Sequence, residues 1–107
     1  FAGEKSHYIT PIRILTESAE NTDSSAQERL LSILKHDTSA SIIINTPNYL
    51  HVEFKSAFLG FIDDTEFYFS RPLIHIRSAS RLGYSDLGVN RRRLESIREL
   101  FEIEGNR

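Results

Sequence analysis

The sequence predicts an α+β fold, an antiparallel sheet of four to five strands with two helices packed on one of its faces. Three observations carry that prediction. The middle of the chain holds three successive runs of alternating apolar and polar residues, at 49–56, Ile62–Ser70 and Leu73–Ser80, joined by short connections that suit antiparallel neighbours. Apolar residues recur at helical spacing in two further segments, one before these runs and one after them. The 107 residues are 39% hydrophobic and 26% charged, which suits one domain over 1–107 with its own core, here assigned to 12–103.

The elements follow in order. Ser6-His7-Tyr8-Ile9-Thr10-Pro11 closes an extended lead-in over 1–11, because Pro11 holds the residue before it away from helical geometry. Ile12, Ile14 and Leu15 suggest a short strand at a sheet edge, and the polar stretch 17–23 reads as a surface loop. Ser25 with Glu28 three residues on has capping-box spacing, and Ala26, Leu30, Leu31, Ile33 and Leu34 give an apolar stripe, so a helix is expected over 25–36. His36-Asp37 and the Thr/Ser residues after it end that helix.

A β-branched strand at 41–45 then turns at Thr46-Pro47-Asn48. In the next run Leu50, Val52 and Phe54 share one face and His51, Glu53 and Lys55 the other. Phe67 and Phe69 oppose Asp64, Glu66 and Tyr68, and after the Arg71-Pro72 turn Ile74 and Ile76 oppose His75 and Arg77. A Gly-containing loop over 81–89 leads to a second helix at 90–103, with Leu94, Ile97, Leu100 and Phe101 as its buried stripe and Gly105 as its C-cap.

Composition narrows the function. A formal net charge of −2 argues against a dedicated nucleic-acid binder. No apolar run is long enough for an integral membrane segment. With no cysteine there is no disulfide, thiolate metal site or cysteine nucleophile. The absence of methionine even at position 1 reads as a processed or trimmed product.

Register can be read from parity. Pairing Ser70 with Leu73 sets Tyr68 opposite His75, Glu66 opposite Arg77, Thr65 opposite Ser78 and Asp63 opposite Ser80. Matching parity in the preceding hairpin sets Val52 opposite Phe67 and Glu53 opposite Glu66. The face away from the core then carries the rows His51–Tyr68–His75, Glu53–Glu66–Arg77 and Lys55–Asp64–Ala79. The charged row is either a solvated ladder, contributing roughly 0.2–1 kcal/mol per pair, or part of a binding site on that face. His51 and His75 would stand two strand spacings apart, about 9.6 Å, too far to share one metal ion, and no metal or other cofactor is expected. The hairpin tip Ala57-Phe58-Leu59-Gly60-Phe61 is unusually apolar. Phe58, Leu59 and Phe61 either fold back to cap the core or contact a protein partner.

Ile74-His75-Ile76-Arg77-Ser78-Ala79-Ser80-Arg81, running into Gly83-Tyr84-Ser85-Asp86-Leu87-Gly88-Val89-Asn90-Arg91-Arg92-Arg93, closely resembles the domain of unknown function 1499 family of bacteria and plastid-bearing organisms. Phe61-Ile62-Asp63-Asp64-Thr65-Glu66-Phe67 and Tyr49-Leu50-His51-Val52-Glu53-Phe54 extend the resemblance, which runs from about His7 to Phe101. That family has no agreed activity. Its members often carry an export signal or lipoprotein-like leader, so the resemblance implies a place in the cell envelope or periplasm, with the cytoplasm as the alternative.

The same segment has its own chemistry. With Asn90 as N-cap, Arg91, Arg92 and Arg93 would fill the first helical turn and oppose the helix dipole by about 0.3–1 kcal/mol each. Either Asp63, Asp64 or Asp86 answers them internally, or helix amides and an arginine fork hold a small anion. Asp63, Ser78 and Ser80, with Arg81, Tyr84 and Ser85 close by in sequence, form a polar cluster that is either a clamp or the floor of a pocket. The resulting expectation is a non-enzymatic binding or accessory module whose site is Asp63, Arg77, Ser78, Ser80, Arg81, Tyr84, Ser85, Asp86, Asn90 and Arg91–Arg93. A small hydrolase using that cluster, and a protein-interaction domain using the 57–61 tip, are the alternatives. The Gly83–Gly88 string imitates a nucleophile elbow but is one residue too long.

Overall fold

The computed structural model describes residues 6–14, 23–55, 61–80 and 87–105. It contains five strands and two helices: β1 (Ser6–Arg13), α1 (Asp23–Lys35), β2 (Ala40–Thr46), β3 (Tyr49–Lys55), β4 (Ile62–Ser70), β5 (Leu73–Ser80) and α2 (Leu87–Gly105). The strands form one antiparallel sheet in the order β1-β5-β4-β3-β2. The expected α+β architecture is therefore present, with all five strands in place.

Alternation decides which face becomes the core. Leu50, Val52 and Phe54 of β3, Phe67 and Phe69 of β4, and Ile74 and Ile76 of β5 are buried in one cluster. Leu30, Ile33 and Leu34 of α1 and Leu94, Ile97 and Phe101 of α2 close it from above, whereas Leu100, expected in that stripe, is half exposed. Both helices thus lie on one face. Arg29 of α1 stacks over the Phe101 ring of α2 at 3.9 Å, a cation–π contact across the helix pair.

Several boundaries differ from the sequence reading, each for a physical reason. The residues read as an extended lead-in up to Pro11 include most of β1, which pairs with β5 from Ser6↔Ala79 to Arg13↔Leu73. Proline is tolerated there because β1 is an edge strand whose register breaks between Ile9 and Ile12. The break frees the carbonyls of Thr10 and Pro11, and Arg98 of α2 donates to them at 2.5 Å and 2.8 Å. The Ile14 amide continues the attachment by donating to the Pro72 carbonyl at 2.7 Å.

Helix α1 begins at Asp23, so Ser25 lies inside it and is not the N-cap. Its C-terminus is as expected, with His36 and Asp37 amides donating back to Ile33 and Leu34 and the Asp37 carboxylate accepting from the Ser39 amide and hydroxyl. Helix α2 begins at Leu87, so Asn90 is not its N-cap and Arg91, Arg92 and Arg93 fall in its second turn. The dipole penalty fades beyond the first turn, which removes the need for an anion at the helix start. Gly105 is the last helical residue rather than the position after it.

The β4–β5 register agrees with expectation at Ser70↔Leu73, Tyr68↔His75, Glu66↔Arg77, Thr65↔Ser78 and Asp63↔Ser80. The β3–β4 register is two residues away from it, with Leu50↔Phe67, His51↔Glu66, Val52↔Thr65 and Glu53↔Asp64. A shift of two preserves every face, so alternation cannot detect it. The rows on the outer face are consequently Tyr49–Tyr68–His75, His51–Glu66–Arg77 and Glu53–Asp64–Ala79.

Candidate functional site

The outer face of the sheet, which carries neither helix, is where the corrected register gathers chemistry. Glu66 at its centre is only 4% exposed. Its Oε2 accepts from the Tyr49 hydroxyl at 2.7 Å and from the Tyr68 hydroxyl at 3.2 Å. Its Oε1 lies 3.6 Å from Nη1 of Arg77, the cross-strand partner on β5. The two tyrosine rings stand 5.0 Å apart and tilted by 50°, an aromatic corner in front of the carboxylate. Beside it, His51 Nε2 and Asp64 Oδ1 share a hydrogen bond of 2.8 Å, and Asp64 is 7% exposed.

These charges are tolerated because each carboxylate has an oriented partner from a neighbouring strand; an unanswered buried charge costs several kcal/mol. The electrostatics affect Tyr49 most. Burial, followed by its hydrogen bond to Glu66 and that carboxylate's charge, pushes the phenol well above its ordinary value of 10.0. Tyr49 therefore stays protonated at neutral pH and acts as a fixed donor, not as a base or nucleophile.

The sequence-derived candidates divide between the two faces of the sheet. Arg77 belongs to the outer cluster. Asp63 lies on the helix side, where its Oδ2 is 3.5 Å from Arg93 Nη1, while the Arg93 guanidinium sits 4.9 Å from the Phe54 ring centroid. Burial raises the Asp63 carboxyl above its ordinary 3.8, with Arg93 pulling in the opposite direction. Ser78 is buried, its hydroxyl 3.2 Å from that of Thr65. Ser80 stands opposite Asp63 in register. Arg92 is exposed on α2, and Asn90 and Arg91 lie on the same helix. Arg81, Tyr84, Ser85 and Asp86 fall outside the described residues, as do Phe58 and Leu59, while Phe61 is half-buried.

Sequence reasoning gave little weight to Tyr49, Tyr68, His51, Asp64 and Glu66 as a group. The signal was present as polar and aromatic residues of one parity on two adjacent strands, but the offset that brings Tyr49 to Tyr68 was missing. Among the described residues no three His, Cys, Asp or Glu side chains gather into a metal-binding group, and no helix is long and apolar enough to cross a membrane.

The fold and the paired polar groups define an α+β domain with one face of its sheet covered by both helices and a polar face that carries neither. The chain belongs to the family described as a protein of unknown function (DUF1499), whose profile matches residues 2–101. No curated protein and no solved structure matches it.

Proposed function

We propose that the chain is a non-enzymatic binding or accessory module of the cell envelope and takes a small polar ligand on the sheet face away from the helices, around Glu66. The observation that supports this reading is the burial of Glu66 and Asp64 on the face that has no helical cover. A strand residue on such a face is ordinarily solvated, and perturbed, partner-locked polar groups cluster at functional sites. Tyr49, Arg77 and His51 are held by cross-strand hydrogen bonds and ion pairs and Tyr68 by Glu66 of its own strand, so a ligand meets oriented groups and little ordering cost. Tyr68, 44% exposed, offers an aromatic face, and Arg77 beside it offers a guanidinium. The envelope assignment rests on the leaders common in the family.

A thermal-shift screen against sugars, sugar phosphates, amines, carboxylates, phosphate and lipid headgroups tests the site. A ligand at 100 times its Kd adds about 2.7 kcal/mol, roughly 4–8 °C for a domain of this size. The expected result is a shift with one chemical class that disappears in both Tyr68→Ala and Arg77→Ala. A shift that survives both substitutions removes the ligand from this face.

A second reading places a small anion at α2, and the exposed Arg92 favours it. There the shift with phosphate or sulfate would be lost in Arg92→Ala and kept in Arg77→Ala. The hydrolase alternative depends on Ser85, which lies outside the described residues.

A further inference from the structure

Between the two helices lies a cleft of about 440 Å³, within the range of about 300–1,000 Å³ usual for small-molecule sites. Arg29 of α1 stacks on Phe101, while the end of α1 and the residues after it face the 93–100 stretch of α2, so the helices run in opposite directions here. Part of the lining is apolar. Ile33, Leu34 and Ile97 are buried against it, and Leu100, which also lines it, is half exposed. Toward the end of α1 the lining becomes charged. Asp37 gives its Oδ1 to the Ser39 amide and hydroxyl at 2.9 Å and 2.6 Å, and its Oδ2 makes no hydrogen bond among the described residues. Arg93 is 15% exposed, with its guanidinium against the Phe54 ring. Its Nη1 has no hydrogen-bond partner and stands 3.5 Å from Asp63. The two charges are brought to one end of the sheet, because the Ser39 carbonyl accepts from the Lys55 amide at 2.9 Å, next to the Phe54 that Arg93 covers.

We propose that this cleft binds a free α-amino acid with an apolar side chain, of the leucine or phenylalanine kind. The carboxylate meets Arg93, the ammonium group meets Asp37 and the negative end of α1, and the side chain lies on Ile33, Ile97 and Leu100. Charge selects the zwitterion. Asp37 and Asp63 outnumber Arg93, so a plain carboxylate meets repulsion on balance. A plain amine answers Asp37 but leaves the donors of a largely buried guanidinium unmet. A molecule carrying both charges on one carbon answers both groups at once. His36, the other titratable residue of the lining, turns away from this task by donating Nδ1 to the Ser32 carbonyl at 2.8 Å.

A peptide end carries only one of the two charges, which is why the free amino acid is the occupant. A ligand of so few atoms binds weakly, with a Kd of about 1 mM. Neither Glu66 nor Arg77 lines the cleft, and ligand binding on the sheet face stands or falls separately.

Titration of the full chain with L-leucine and with L-phenylalanine to about 20 mM, followed through amide chemical shifts, is the test. The expected result is a saturating shift with at least one of them at Asp37, Thr38 and Ser96. N-acetyl-L-leucine lacks the ammonium group, L-leucinamide the carboxylate and L-serine the apolar side chain; each should bind at least about tenfold more weakly than leucine. Asp37→Asn keeps an acceptor for Ser39 while removing the charge, and should weaken leucine binding about fivefold or more. Tyr68→Ala, on the other face of the sheet, should leave it unchanged. Should Asp37→Asn disturb the fold, the ligand series on the unaltered chain decides the matter. Shifts that fail to saturate with both amino acids overturn the proposal, as do saturating shifts confined to other residues. So does N-acetyl-leucine or leucinamide binding as tightly as leucine, which would assign the cleft to a peptide end. Loss of leucine binding in Tyr68→Ala would move the amino acid to the sheet face and overturn it equally.

Discussion

Gln27 is a polar residue in the buried stripe of α1, and its amide is fully used by the turn it faces. Nε2 donates to Asn45 Oδ1 and to the Thr46 carbonyl, both at 2.8 Å, and Oε1 accepts from the Asn48 amide at 3.0 Å. Asn48 has φ of 66°, a left-handed conformation that asparagine tolerates better than most residues. Gln27→Ala removes hydrogen bonds to exposed turn residues along with the packing of a buried side chain, and should cost about 1 kcal/mol in urea unfolding; a loss below about 0.5 kcal/mol would show that water replaces the amide without penalty. Asp63 gives a pH signature. Its carboxyl is raised above the ordinary 3.8, chiefly by burial. The folded state therefore holds that proton more tightly than the unfolded chain, and the associated stability is present below the unfolded value and lost as pH rises through the folded one. The stability of Asp63→Asn relative to the parent should thus improve as pH rises from below the ordinary 3.8 through the raised folded value. A difference that stays flat across that range would contradict the assignment.

At the level of elements, β1 depends on a residue from the far end of the chain. Arg98 donates to Thr10 and Pro11 and lies 3.2 Å from Glu95 on its own helix. Arg98→Met keeps much of the stem but removes the donors. Amide exchange in β1 and its pairing with β5 should then quicken by about tenfold or more, with β3 and β4 unaffected. Equal quickening in all strands would mean that Arg98 supports the whole core. Element by element, the sequence was most legible where a turn was short. Arg71-Pro72 leaves one way to pair Ser70 with Leu73, and the whole β4–β5 register follows. The β3–β4 connection is longer, and parity is blind to a slip of two residues, so His51 was placed against Tyr68 and not Glu66. The outer-face cluster was missed for that reason, since Tyr49 and Tyr68 meet only in the true register. Gly88 suggests a loop where α2 already runs, and Pro11 suggests an end to regular structure where β1 continues; packing against α1 and β5 overrides both local preferences.

Across the whole molecule, one apolar cluster ties the described elements into the same core, through residues such as Ile12, Leu30, Phe54, Phe67, Ile76, Leu94 and Phe101, with β2 joining it only where Ala40 packs against it. Leu94 is fully buried among them. Leu94→Ala should cost about 2–5 kcal/mol, and far-UV and tyrosine signals should still fall in one coincident transition. Two separated transitions would show that the helical layer melts apart from the sheet. The strand order has a kinetic consequence. β2 through β5 pair with their neighbours in sequence, but β1, the first strand in the chain, pairs with β5, the last. Ile9 meets Ile76 only after α1 and three strands have been enclosed in the loop between them. Chains are made from the N-terminus, so during synthesis β1 emerges long before the strand and the arginine that receive it. The earliest strand to be made is the last to dock, and pulse-labelling exchange should find its amides protected after those of β3 and β4.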